Sequence, residues 1–374
     1  MKWELGEDCA VVHLTLVPFL KAAGELKTKP TQHSVKTLLE QGVQPDIIVC
    51  RTEYSLNENI RKKIAQFCNV SVRSVIESID ADTIYDVPIL MREEELDIEV
   101  LKKTNTIIPE ALDLTNWERF LTRLKNPKTT VNIGLVGKYV ELQDAYKSIK
   151  ESFIHGGVEN ECRVNVIDIQ SENITKESVN TILKDLDGVL VAPGFGGRGI
   201  EGKIEAIKYI RENSIPFLGI CLGMQCAAIE FTRNVLGHKD AHTTEIDKDT
   251  IYPVIDLMEE QKDIENLGGT MRLGAYECKL DIDSKTFAEY KKDIISERHR
   301  HRFEFNNEYR KSFDEAGMKV VGINPAKDLV EIIELENHPW FVGVQFHPEY
   351  KSTVKNPHPL FVGFVKAALQ NKRS

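Results

Sequence analysis

The residues best suited to chemistry sit where a short apolar run ends. Residues 217–220 read as a buried parallel strand, and residues 222–231 have the composition and spacing of a helix. Cys221 falls at the turn between them, with Gly219 and Gly223 two residues to either side. A strand-to-helix turn this sharp needs small neighbours, because its backbone is strained and close-packed. It lifts one side chain above the sheet edge. It also aims backbone N–H groups and a helix N-terminus, which favours a thiolate, at whatever that side chain attacks. A cysteine here is either a small core residue or a nucleophile, and other stretches must decide.

Residues 340–349 read as a strand that delivers His347 and Glu349 to its tip. An imidazole can take a thiol proton, and a carboxylate two residues on can hold the ring in the right tautomer. Taken alone, the same pair is a loop histidine followed by a solvated acid. Residues 189–199 read as a strand, a glycine-rich loop and the start of a helix, a source of N–H donors for an oxyanion. Two nucleotide motifs are imitated there. Gly194, Gly196 and Gly199 spell a dinucleotide fingerprint, but the next strand ends at Cys221 and not at an acid for a ribose. Residues 197–203 spell most of a P-loop, but Ile204 stands where a hydroxyl must bind magnesium. Residues 267–274 and 297–304 concentrate Arg and His beside acids, which suits a polar amino-acid substrate. The His pair lacks helical metal-ligand spacing and has no Cys nearby, so no zinc or other metal site is expected.

These stretches need a scaffold. Strands at 131–136, 163–169, 188–191 and 217–220 alternate with helices, among them 145–155 and 200–212. Antiparallel strands follow at 251–255, 271–280, 319–323, 329–335 and 341–346, then a closing helix at 358–369. Residues 131–374 should therefore be α/β, a doubly wound and mostly parallel sheet with antiparallel additions. Its site should lie outside the carboxyl ends of the strands. Residues 1–125 form a first α/β unit: a buried strand at 11–19, a basic loop at 26–32, helices at 34–41 and 57–68 and a strand at 46–50. An amphipathic helix at 90–103 has an acidic, solvated face at 92–95, and another helix follows at 114–125. This unit has too few strands to close a nucleotide-binding sheet alone. Residues 126–130, with Pro and small polar residues, are the expected linker.

Composition narrows the classes. The chain has 374 residues, enough for two domains, with ordinary hydrophobic (41%) and charged (28%) content for a globular protein. A net charge of −10 argues against non-specific nucleic-acid binding. The seven cysteines include no C-x-x-C pair, so neither a disulfide framework nor a zinc ribbon is indicated, and a reducing cytoplasm fits. No apolar run approaches a membrane span.

The strings G-I-C-L-G-M-Q, F-H-P-E and R-H-R-H-R-F-E-x-N resemble the class I glutamine amidotransferase domain of the CTP synthase family. Residues 24–35 resemble that family's UTP-binding segment, and the likeness runs from about residue 12 to about residue 366. It implies a Cys221, His347 and Glu349 triad, an oxyanion hole from Gly194 and Leu222, and glutamine held by Gln225, Glu245 and Arg302. It places UTP or CTP at Lys27, Gln32 and Lys63, and a GTP activator at Lys138, Lys147, Arg198 and Glu201. The family loop reads P-G-G-F-G, whereas residues 192–196 read Ala-Pro-Gly-Phe-Gly; Pro193 has no N–H to donate, but Gly194 keeps its own. Family members also carry a P-loop and magnesium-binding acids before the segment matched here. The resemblance therefore implies a truncated P-loop-type domain at 1–125, with ATP and Mg expected only for the complete enzyme. The expected activity is glutamine hydrolysis without CTP synthesis by this chain alone, in a family that forms homo-tetramers. The rival expectation is an inert fragment that binds nucleotide or glutamine.

Overall fold

The computed structural model describes residues 2–109, 113–142, 144–257 and 271–373. Residues 267–270 of the glycine-rich stretch lie outside the described residues. The chain divides into two compact units, Met1–Thr115 and Asn116–Ser374.

The first unit holds three parallel strands in spatial order: β1 (Val12–Leu16), β2 (Ile47–Thr52) and β3 (Val75–Ile79). β2 is central and almost wholly buried. β1 is an edge, and it does not match the buried strand expected at 11–19: Leu14 is 65% exposed and Leu16 55%. The helix expected at 34–41 instead spans Lys29–Glu40, because Pro30 suits a first helical turn, and so Gln32 is helical rather than in a loop. The helix expected at 90–103 is broken into Val87–Glu93 and Leu96–Lys103 at Glu95, whose φ is +58°. Glu94 is not solvated: it takes a 2.6 Å bond from Arg61 and a 2.8 Å bond from the Glu77 N–H. The helix Thr115–Lys125 belongs almost entirely to the second unit, where Phe120 lies against His155.

The second unit is built on one nine-stranded sheet. In chain order its strands are β4 (Thr129–Gly137), β5 (Cys162–Gln170), β6 (Gly188–Val191), β7 (Phe217–Ile220), β8 (Arg272–Leu280), β9 (Ile294–His301), β10 (Met318–Asn324), β11 (Leu329–Leu335) and β12 (Phe341–Val344). Across the sheet the order is β9-β8-β10-β11-β12-β7-β6-β4-β5. Strands β12, β7, β6, β4 and β5 pair in parallel, and β8 to β11 extend the sheet antiparallel. The central strands are buried on both faces. Val189, Val191 and Phe217 pack under the helices Ile200–Glu212 and Leu222–Asn234, while Leu190, Leu218 and Val344 pack under Phe153 and Phe361. This is why those strands read as continuous apolar runs.

Parallel pairing also fixes where the chain exits. Val191 pairs with Gly219, and Ile220 with Val344, so β6, β7 and β12 end at one edge. The glycine loop, Cys221 and the segment bearing His347 all begin there.

Candidate active site

Cys221 occupies the turn between β7 and the helix Leu222–Asn234, with φ +51° and ψ −104°. A side chain other than glycine pays strain of ~1–3 kcal/mol in such a conformation, so the surroundings must impose it. They do: the Cys221 N–H donates to Val344 O at 2.7 Å, and the helix starts hard against β6. A Cβ on Gly223 would lie 2.2 Å from Val191 O. Only glycine lets the helix begin so close to the sheet.

His347 follows β12, and its N–H is tied to Arg298 O at 2.8 Å. Its Nδ1 bonds Glu349 Oε1 at 2.7 Å, which makes Nδ1 the protonated nitrogen, and the Tyr350 ring stacks on the imidazole. Both His347 and Glu349 are 5% exposed. Among the described residues Nε2 makes no hydrogen bond of ordinary geometry. Burial alone would lower the imidazole pKa; the Cys221 thiolate and then the Glu349 carboxylate outweigh it and raise the value from 6.5 to about 11. Gln345 Nε2 reaches Cys221 Sγ at 3.7 Å.

A cavity of about 230 Å³ opens over the sulfur. Gly194, Gln225, Glu245 and Arg302 line it together with Cys221, so residues far apart in the chain meet there. The volume suits an amino acid, since pockets for larger ligands run from roughly 300 Å³ upward. Gln225 is fixed by donation to Phe303 O (2.9 Å) and Gln345 Oε1 (3.2 Å). Glu245 Oε1 accepts the Gly196 N–H at 2.9 Å. Among the described residues neither the Gly194 nor the Leu222 N–H has a protein acceptor. Phe195, Met271, Arg300, His301 and Phe303 also line the cavity, and all but Phe195 belong to the two Arg- and His-rich stretches that the sequence offers for an amino-acid substrate. Gln345 was not singled out from sequence, although it lies two residues before His347 just beyond β12, which is a readable signal.

The Arg- and His-rich strand β9 divides its side chains by alternation. Arg298 and Arg300 point outward, whereas Glu297, His299 and His301 are buried. His299 bonds Glu331 (2.7 Å), His301 bonds Glu304 (2.8 Å), and Arg272 bridges both acids at 3.0 and 2.8 Å. The histidines therefore serve a buried ionic network under the pocket, and only His301 of the pair also reaches the cavity wall.

The nucleotide-contact candidates are less concentrated. In the first unit a cleft of about 540 Å³ is lined by Phe19, Thr28, Tyr54, Asn57 and Lys63. Gln32 holds Thr28 at 3.1 Å, and Lys27 is paired with Glu25 rather than lining the cleft. In the second unit Arg198 donates to Lys138 O at 3.0 Å, and both cations lie over the Tyr139 ring. Lys147 opens the helix Lys147–Glu159, whereas Glu201 is engaged by Arg233 at 2.8 Å. Among the described residues no three His, Cys, Asp or Glu side chains converge as metal ligands, and no helix is long and apolar enough to cross a membrane. Lys203, the lysine of the P-loop imitation, is buried in the core.

Two family models match the chain: CTP synthase N-terminus over residues 1–106 and glutamine amidotransferase class-I over residues 141–367. The chain is 62% identical over 368 residues to the CTP synthase of Flavobacterium johnsoniae, covering 98% of this chain and 68% of that one. It is 63% identical over 369 residues to the CTP synthase of Christiangramia forsetii, with the same shares covered. Among solved structures, the glutaminase domain of Trypanosoma brucei CTPS with bound acivicin matches with a TM-score of 0.61 and 34% identity, over 64% of this chain and 94% of that one. The second unit thus has the class I glutamine amidotransferase fold, and the chain belongs to the CTP synthase family.

Proposed function

We propose that this chain hydrolyses the side-chain amide of glutamine to glutamate and ammonia, with Cys221, His347 and Glu349 as the catalytic triad. The observation that carries the reading is the meeting of a strained Cys221 with an imidazole held by Glu349 at 2.7 Å, beside a cavity of amino-acid size. Cys221 Sγ attacks the amide carbon, and the oxyanion that forms is held by the N–H groups of Gly194 and Leu222. His347, protonated on Nε2, gives that proton to the departing nitrogen, so the C–N bond breaks and ammonia leaves a γ-glutamyl thioester. His347 then takes a proton from water as the oxygen attacks. The thioester opens to glutamate, and the thiolate–imidazolium pair is restored. Glu349 holds the ring and offsets its charge throughout. Gln225, Glu245 and Arg302 hold the amino-acid head, with Glu245 against the ammonium and Arg302 against the carboxylate.

For the whole protein we propose the reaction its relatives are named for, in which the ammonia aminates UTP activated by ATP to give CTP. Lys27, Gln32 and Lys63 would take the pyrimidine nucleotide, and Lys138, Lys147, Arg198 and Glu201 a GTP activator. A homo-oligomer and a cytoplasmic location complete the proposal.

The test is ammonia release from glutamine by the full chain, with and without GTP, beside Cys221→Ala. The expected outcome is turnover that the variant lacks by at least about 10³-fold. Equal rates for the two proteins would leave only a binding fragment.

A further inference from the structure

The lysine that completes the P-loop imitation is the outlier of the second unit's core. Lys203 lies on the stripe of the helix Ile200–Glu212 formed by Ile200, Ile204, Ile207 and Ile210, and its side chain is fully buried. Gly202 explains the depth: a Cβ there would lie 1.8 Å from Ser171 O, so the helix presses against the turn Ser171–Asn173. A leucine or methionine would fill that stripe without taking a charge out of water. Among the described residues the amine has no carboxylate partner. Instead Lys203 Nζ donates to Ala192 O at 2.7 Å.

Ala192 is the first residue beyond β6, two before Gly194. The far end of the same loop is also held. Lys138 Nζ donates to the Phe195 carbonyl, and Glu245 accepts the Gly196 N–H at 2.9 Å. Those two groups belong to a single peptide plane, which is therefore gripped at both edges. The Gly194 N–H lies between the two anchored ends.

We propose that Lys203 is a positioning residue for glutamine hydrolysis: by holding the Ala192 carbonyl from beneath it aims the Gly194 N–H at the oxyanion, and its charge sits near the Cys221 thiolate. The inference rests on the hydrolase reading above. The ionisable groups that face Nζ are Cys226 and Cys221 at the elbow and Lys138 beyond β4. Burial lowers the amine pKa to about 8; Cys226 and Cys221 as anions oppose the fall, and Lys138 adds to it. The amine is thus mostly charged at neutral pH.

The test uses the full chain with Lys203→Met, which conserves volume but removes donor and charge, and Lys203→Gln, which keeps a donor without charge. For Met, kcat for ammonia release should fall roughly tenfold to a hundredfold with KM nearly unchanged. Alkylation of Cys221 by iodoacetamide at pH 7 should slow several-fold, with its pH profile displaced. Gln should recover part of kcat but not the alkylation rate. Wild-type kcat and alkylation in the folded Met variant, or a loss confined to melting temperature, would overturn the inference and leave the hydrolase reading standing. No ammonia from the wild type would remove both.

Discussion

The cavity over Cys221 and the cleft beside Lys63 demand different things of a backbone. The cavity is walled by residues from five separate segments, and Cys221, His347 and Glu349 are each at least nine-tenths buried and held by named partners. The cleft is more than twice as large, its lysine is exposed, and in the same unit the edge strand β1 leaves two leucines in water. Covalent chemistry on an amide needs atoms placed within a fraction of an ångström, which only an over-determined interior provides. Holding a polyphosphate needs cations nearby, and a flexible ammonium on a surface suffices.

The sharpest way to break this contrast is Gly223→Ala. The added methyl meets Val191 O at 2.2 Å, so the elbow must open; about 3 kcal/mol of stability and nearly all ammonia release should go. Denaturant melts and activity measured on the same sample check it. Retained activity would mean that the elbow is not the machinery.

Next comes Glu349→Gln, which keeps the shape but not the charge. We expect kcat to drop about 10²-fold or more while the melting curve moves little. The pH dependence of His347 sharpens the point. Its pKa is raised in the folded chain, so the stability it contributes is complete below about 6.5 and is lost as pH climbs through about 11. Imidazole resonances followed by NMR should titrate far above the ordinary range in wild type and move down in Cys221→Ala. An unshifted imidazole would deny the thiolate–imidazolium pair.

Lys63→Ala should weaken binding of a pyrimidine nucleoside triphosphate only roughly two- to fivefold, as befits one exposed cation among several. Glutamine hydrolysis should not change, and calorimetry beside the ammonia assay separates the two. The smallest expected effect is from the pair Leu14→Lys and Leu16→Lys: stability within about 0.5 kcal/mol, unchanged ammonia release and better solubility at high concentration. A collapse of activity in that pair would show that the two units are not the independent cases drawn here.

Legibility followed the same divide. The elbow could be read because glycines on both sides of a cysteine, between an apolar run and a helix, permit few structures. Gln225, Glu245 and Arg302 were named in advance only through family likeness, since nothing local marks them. The β1 strand was misread because an apolar run says that a strand wants burial and not whether it is covered; Leu14 and Leu16 are apolar and exposed. Glu94 was misread as solvated because its partner, Arg61, lies 33 residues away. The histidines of β9 looked like substrate contacts; the pleat sent both inward to Glu331 and Glu304, and only His301 also reaches the cavity wall.

Local order along the chain was enough to determine the strand, turn and helix at Cys221 and the strand tip at His347, because backbone sterics and two-residue alternation act over short distances. Which strands stand side by side is a long-range choice. Only the folded sheet could set β12 and β6 against β7, and with that pairing bring a thiol, an imidazole and two free N–H groups to one edge.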